Sequence, residues 1–186
     1  RLEVPTVLLT AVGRDFAGRQ VLQATKKAGV DCSHVRRVRG GRTGAYMALL
    51  HTDGQLQVAI SDFDIVDAID ADYLLEHETL FANAAMIVID ATLSLDTLDT
   101  LFNLASRHKV HVAADPTTPI LAAKLCAYLP DLYLIVPNAA ETAVMCASDG
   151  AAYDRDTALQ AARDFVTSGV QIAVVTMGGQ GLAYAD

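Results

Sequence analysis

The chain alternates short apolar runs with stretches whose apolar residues return every three or four positions. A β-rich run of four to eight residues reads as a strand, and the 3.6-residue period reads as a helix. Residues 6–12 (TVLLTAV) predict a buried strand. Over residues 18–28 the face formed by Val21, Leu22, Thr25 and Ala28 predicts a helix, with Lys26 and Lys27 at its negative end and Gly29 as its stop. Met86–Asp90 (MIVID) predicts a second buried strand. A helix follows from Leu95, with Leu95, Leu98, Leu101, Phe102 and Ala105 on one face and Arg107, His108 and Lys109 where the dipole favours cations. Further strands are predicted at His111–Asp115, 133–136 and Ile172–Thr176, and further helices from Ala139 and over 157–168. This alternation predicts an α/β fold with a largely parallel sheet.

One section breaks the rhythm. Between Val35 and Ser61 no helical period exists, and residues 43–50 and 55–61 read as two strands joined around Asp53-Gly54, a hairpin signal. The chain therefore divides into an α/β core, residues 1–34 and 66–186, and a projecting β segment, residues 35–65. Arg36, Arg37, Arg39 and Arg42 fall in that segment. They fit either a charged edge that resists aggregation or a positive rim for an anionic ligand such as ATP.

Composition narrows the function classes. With 186 residues, 52% of them hydrophobic and 19% charged, the chain has enough apolar side chain for one domain core and too much for disorder. Its apolar runs are far too short to cross a bilayer. Fourteen basic against 22 acidic residues give a net charge of −8, which argues against nucleic acid as the partner. Cys32, Cys126 and Cys146 form no C-x-x-C pair and read as reduced thiols of a cytoplasmic protein. Among the scattered histidines, His108 and His111 are close in sequence but fall on a helix end and a strand start, a poor metal pair. No Ser-His-Asp or Cys-His arrangement follows from spacing.

Polar residues of chemical interest follow the predicted strands, where ligands bind in open parallel sheets. Asp90 ends MIVID, Asp115 opens Asp-Pro-Thr-Thr, Asn138 and Glu141 lie in Pro-Asn-Ala-Ala-Glu, and Thr176 precedes Met-Gly-Gly-Gln-Gly. Carboxylates and an amide on one rim suit hydrated magnesium, and glycines after Thr176 let backbone N–H groups approach a phosphate. Each residue also has a plain structural reading. Asn138 and Glu141 fit a capping box, the glycines a hairpin turn, and Asp90 and Asp115 loop caps.

These segments carry a family resemblance. Residues 12–18 (VGRDFAG) resemble the VGxDxxG segment of the PfkB family of ribokinase-like carbohydrate kinases, residues 138–141 its NxxE motif, and residues 176–181 its TxGxxG segment. The resemblance covers essentially the whole chain. It implies a Rossmann-type three-layer α/β/α sandwich with a projecting β-hairpin lid. Within the family, residues 43–50, Asp53-Gly54, residues 58–65, Asp72-Tyr73-Leu74 and Asp115-Pro116 resemble the pseudouridine kinase subgroup.

Carried over, the resemblance implies ATP and Mg2+ as cofactors. Glu141, Asn138 and Asp115 would serve the metal, and Asn138, Thr176, Gly178 and Gly181 the nucleotide. Thr43, Tyr46, Asp62 and Phe63 would serve the substrate under the lid. The implied reaction is phosphorylation of the 5′-hydroxyl of a nucleoside such as pseudouridine. A sugar or sugar phosphate as acceptor, or a non-catalytic ligand-binding remnant, are the alternatives. A cytoplasmic homodimer paired through the lid is also implied. Relatives in the subgroup carry a Lys shortly after Asp-Pro, where this chain has Ile120-Leu121, and Lys124 is the nearest cation. The family's first strand and its GAGD motif, which holds the catalytic Asp, have no match here. No catalytic residue is therefore assigned in this chain, which reads as an incomplete part of a kinase.

Overall fold

The structure, a computed structural model, describes residues 4–52, 56–147 and 154–186. It separates into two compact units, Arg1–Tyr73 and Leu74–Asp186. In the first, β1 (Ala11–Gly13) leads into α1 (Phe16–Lys27) and pairs in parallel with β2 (Arg36–Val38). The strand predicted over residues 6–12 is mostly absent. Its first half makes only a single bridge, Val7 to Asp31, because the partner segment turns at residues 32–35 before β2 begins. Val12, Cys32 and Val35 form a small core against Leu8, Leu22 and Val30. Helix α1 ends as predicted, with both lysines in its last turn, but buries only Gly18; Val21 is exposed.

The segment without helical period forms β3 (Ala45–Leu50) and β4 (Leu56–Asp62), paired antiparallel in a sheet of their own. The predicted Asp53-Gly54 turn lies outside the described residues. A 3-10 turn, Asp64–Ala68, follows, and α2 (Ala71–Glu76) carries the chain across the unit boundary.

The second unit begins with α3 (Glu78–Asn83) and is built on a five-stranded sheet. Its elements run β5 (Met86–Asp90), α4 (Leu95–His108), β6 (His111–Asp115), α5 (Pro119–Ala122), a 3-10 segment Ala123–Asp131 and β7 (Leu134–Ile135). They continue with α6 (Ala139–Met145), α7 (Arg155–Thr167), β8 (Ile172–Thr176) and β9 (Leu182–Ala185). Strands β5 to β8 are parallel in chain order, and β9 returns antiparallel to β8. Parallel neighbours need crossovers, and the helices and 3-10 segments between the strands supply them.

The predicted helical face of α4 is realised: Leu98, Leu101, Phe102, Leu104 and Ala105 are buried, whereas Leu95, in the first turn, is exposed. MIVID forms a strand as predicted but not a buried one. Among the described residues it is the sheet's edge, Val88 is 77% exposed, and only Ile89 of the strand is buried. Ser94 caps α4, its hydroxyl accepting from Thr97 N at 3.1 Å. Ser94→Ala is expected to lower unfolding stability by about 1 kcal/mol, read as a lower urea midpoint at unchanged slope. Among the described residues no helix is long and apolar enough to cross a membrane.

Candidate functional site

The second unit gathers its polar residues at the carboxyl ends of β5 to β8. Sheet register sets Asp90 beside Asp115. Beyond β7, Asn138 bridges to Thr176, whose N–H donates to the Pro137 carbonyl at 2.8 Å. Asn138 Oδ1 accepts from Glu141 N at 3.0 Å, and Glu141 Oε2 accepts from Asn138 N at 2.9 Å. This is the capping box its spacing predicts.

The plain structural readings therefore hold for each residue. Asp90 Oδ1 accepts from Thr92 N at 2.9 Å and from the Thr92 hydroxyl. Asp115 Oδ1 accepts from Thr117 N at 2.8 Å. Residues 178–180 form the turn between the antiparallel β8 and β9, with φ of +55° at Gly178 and +96° at Gly181. A side chain at either position would be strained, although each has open space beside it.

Capping alone does not explain Glu141. A capping-box glutamate can do its work at the surface, yet this one is 3% exposed. Burial pushes its carboxyl above the ordinary range, and the negative charge of Asp115 pushes it further. A buried carboxylate beside a second acid is an unfavourable arrangement of the kind that clusters at functional sites. Among the described residues no group of three or more His, Cys, Asp or Glu is placed to hold a metal ion. The pair does fit magnesium, a hard cation that takes one or two carboxylates, keeps waters and shares substrate phosphates.

Two residues on this rim have roles their sequence did not reveal. Thr117 takes a φ of +70°, rare for a β-branched residue, and its hydroxyl accepts from Ala91 N at 3.0 Å. Lys124, the nearest cation to the Asp-Pro step, donates to the carbonyls of Ala91 at 3.0 Å and Leu93 at 2.9 Å. Its ammonium thus holds the β5–α4 loop. Lys124→Met is expected to cost about 1.5 kcal/mol of stability. Unchanged stability with a weakened ATP KM would instead assign the ammonium to phosphate. Ile120 is 89% exposed.

In the first unit, Thr43 stands just before β3, its backbone N–H and hydroxyl donating to Asp15 at 2.8 and 2.6 Å. Tyr46 and Phe63 are exposed, and Asp62 pairs with Arg42 at 3.6 Å. Register pairs Tyr46 with Ser61 and Ala45 with Asp62. Strand alternation therefore gives Tyr46 and Asp62 opposite faces of the hairpin.

The arginine cluster is partly spent within its own unit. Arg36 donates to the Ala68 carbonyl at 2.8 Å, pairs with Asp70 at 3.3 Å and lies over the Tyr73 ring. The histidines are used separately: His108 meets Glu78 at 2.8 Å, and His111 stacks on Tyr133 at 4.3 Å. Cys32, Cys126 and Cys146 are all free thiols.

Comparison with known proteins supplies an independent line. The pfkB family carbohydrate kinase profile matches residues 1–186. A pseudouridine kinase of Escherichia coli (strain K12) is 33% identical over 179 residues, which are 96% of this chain and 56% of that protein. The solved ribokinase of Giardia lamblia superposes with a TM-score of 0.82 at 14% identity, covering 100% of this chain and 58% of that one. An E. coli protein solved with ATP and Mg2+ superposes with a TM-score of 0.76 at 17% identity, covering 100% and 60%. The chain spans little more than half the length of these relatives. The profile match over all 186 residues, carried on a parallel-rich α/β fold, places the chain in the pfkB family of carbohydrate kinases.

Proposed function

We propose that the chain is the metal-side and lid part of an ATP- and magnesium-dependent kinase acting on the 5′-hydroxyl of a nucleoside, with pseudouridine as acceptor. The observation that carries the kinase reading is the buried Glu141 beside Asp115, on the rim that also bears Asn138 and Thr176. Identity to the E. coli pseudouridine kinase supports the acceptor.

In this reading Glu141 and Asp115 would hold magnesium, and Asn138 would help place the metal and the phosphates. When bound, magnesium neutralises charge on the phosphates. Thr176 and the open turn at Gly178 and Gly181 receive the nucleotide, the glycines leaving backbone N–H groups accessible. The γ-phosphoryl group passes from ATP to the acceptor oxygen, ADP leaves, and the hydroxyl proton goes to a general base. Positioning and charge stabilisation do most of the catalytic work in such transfers. Thr43, Tyr46, Asp62 and Phe63 would serve the acceptor.

The hairpin also serves as a homodimer contact. Met47, Leu49, Val58 and Ile60 are paired across β3 and β4 on one face, and all are exposed. A two-stranded ribbon is marginal without a surface to pack on, and a second copy supplies one. The protein acts in the cytoplasm, where ATP and the free thiols are at home.

A panel of acceptors offered to the full-length protein tests the substrate. The expected ranking puts kcat/KM for pseudouridine first. Phosphorylation of ribose or fructose in preference to any nucleoside would replace this reading with that of a sugar kinase, the function of the ribokinase relatives.

A further inference from the structure

Asp15 follows β1 by two residues and caps α1, its Oδ1 accepting from Gly18 N at 2.8 Å. The same carboxylate also reaches the entrance of the hairpin. Its Oδ2 accepts from Thr43 N at 2.8 Å, and its Oδ1 accepts from the Thr43 hydroxyl at 2.6 Å. Thr43 Oγ1 in turn accepts from Gly13 N at 2.9 Å. Both donors of Thr43 are thereby committed.

Close packing completes the node. A Cβ at Gly13 would fall 2.5 Å from the Gly41 carbonyl oxygen, and one at Gly18 would fall 2.7 Å from Thr43 Oγ1. An N-cap needs one acceptor for its helix. This carboxylate serves three donors, two of them on the residue two positions before β3. These hydrogen bonds, with Thr43 foremost, pull the Asp15 carboxyl down to about 2, so the charge is present throughout the neutral range.

Strand β3 is exposed along its length, and among the described residues β3 and β4 pair only with each other. We propose that Asp15 is the positioning residue of the β3–β4 hairpin, clamping Thr43 and so fixing where Tyr46, Asp62 and the apolar face stand. The clamp follows from the geometry; its consequence for the acceptor rests on the lid reading above.

Asp15→Asn separates the two jobs of the carboxylate. Asparagine caps a helix as well as aspartate, but its NH2 presents a donor where Thr43 N–H needs an acceptor. Hydrogen exchange on the full-length protein is the readout. Amides of β3 and β4 are expected to exchange about tenfold faster in Asp15→Asn, while those of β5 to β8 keep their rates. Thr43→Val is expected to do the same, and Thr43→Ser to retain wild-type protection. An unchanged hairpin, or a uniform rise in both units, would overturn the clamp.

Kinetics of the same Asp15→Asn protein supply the second readout. The acceptor KM is expected to rise about tenfold with the ATP KM unmoved. Faster hairpin exchange with an unmoved acceptor KM would leave the clamp standing and remove the hairpin from substrate binding.

Discussion

Glu141→Gln is expected to make the protein more stable and a worse kinase at once. The capping box survives, because glutamine can still accept from Asn138 N. What disappears is a buried charge and its repulsion by Asp115. The pH dependence has a definite sign. The folded-state value is raised above the ordinary 4.5, so Glu141 favours the fold below that pH and progressively loses this contribution as pH rises through the folded value. Variant and wild type should therefore melt together in acid, and the variant should melt higher at neutral pH. In the full-length enzyme the magnesium requirement should rise about ten- to a hundredfold, with acceptor KM little changed. A gain in stability with loss of activity is the mark of a site kept for function. A less stable variant with unaltered magnesium dependence would reduce Glu141 to a helix cap.

Gly18→Ala is expected to reverse the usual effect of that substitution. In an exposed helix, replacing glycine by alanine gains about 1 kcal/mol. Here the new Cβ would stand 2.4 Å from the Gly13 carbonyl oxygen and 2.7 Å from Thr43 Oγ1. The first is backbone, and the second is held by two hydrogen bonds, so neither yields cheaply. A net loss of about 3 kcal/mol is expected in urea unfolding of the first unit. A neutral or stabilising result would mean that β1 and α1 part more easily than their packing implies.

Much of this was legible because local rules and tertiary structure agree. The strands Met86–Asp90, His111–Asp115 and Ile172–Thr176 fall where their apolar runs predict, each ending in a polar residue. The capping box of Asn138 and Glu141 was readable from three-residue spacing, but the burial that sets Glu141 apart was not, since burial depends on what packs above it. Likewise MIVID has the composition of a central strand and sits at the sheet edge. Pattern gives a strand's identity but not its neighbours.

Asp15 was the larger omission. Its place within residues 12–18 carried only a resemblance, because its bonds to Thr43 join residues 28 apart in sequence. Lys124 was readable as a cation near the Asp-Pro step, yet its partners are carbonyls of a loop more than 30 residues earlier. In both cases local spacing located the residue, and long-range contacts assigned its work.

Phosphorus NMR of the full-length protein with ATP, Mg2+ and pseudouridine tests the central claim most directly. The account expects the γ-phosphate signal to decline as ADP and a nucleoside 5′-phosphomonoester appear together, with both products abolished by chelation of magnesium. No ester with pseudouridine, any other nucleoside or a sugar, at saturating ATP and magnesium, would contradict it.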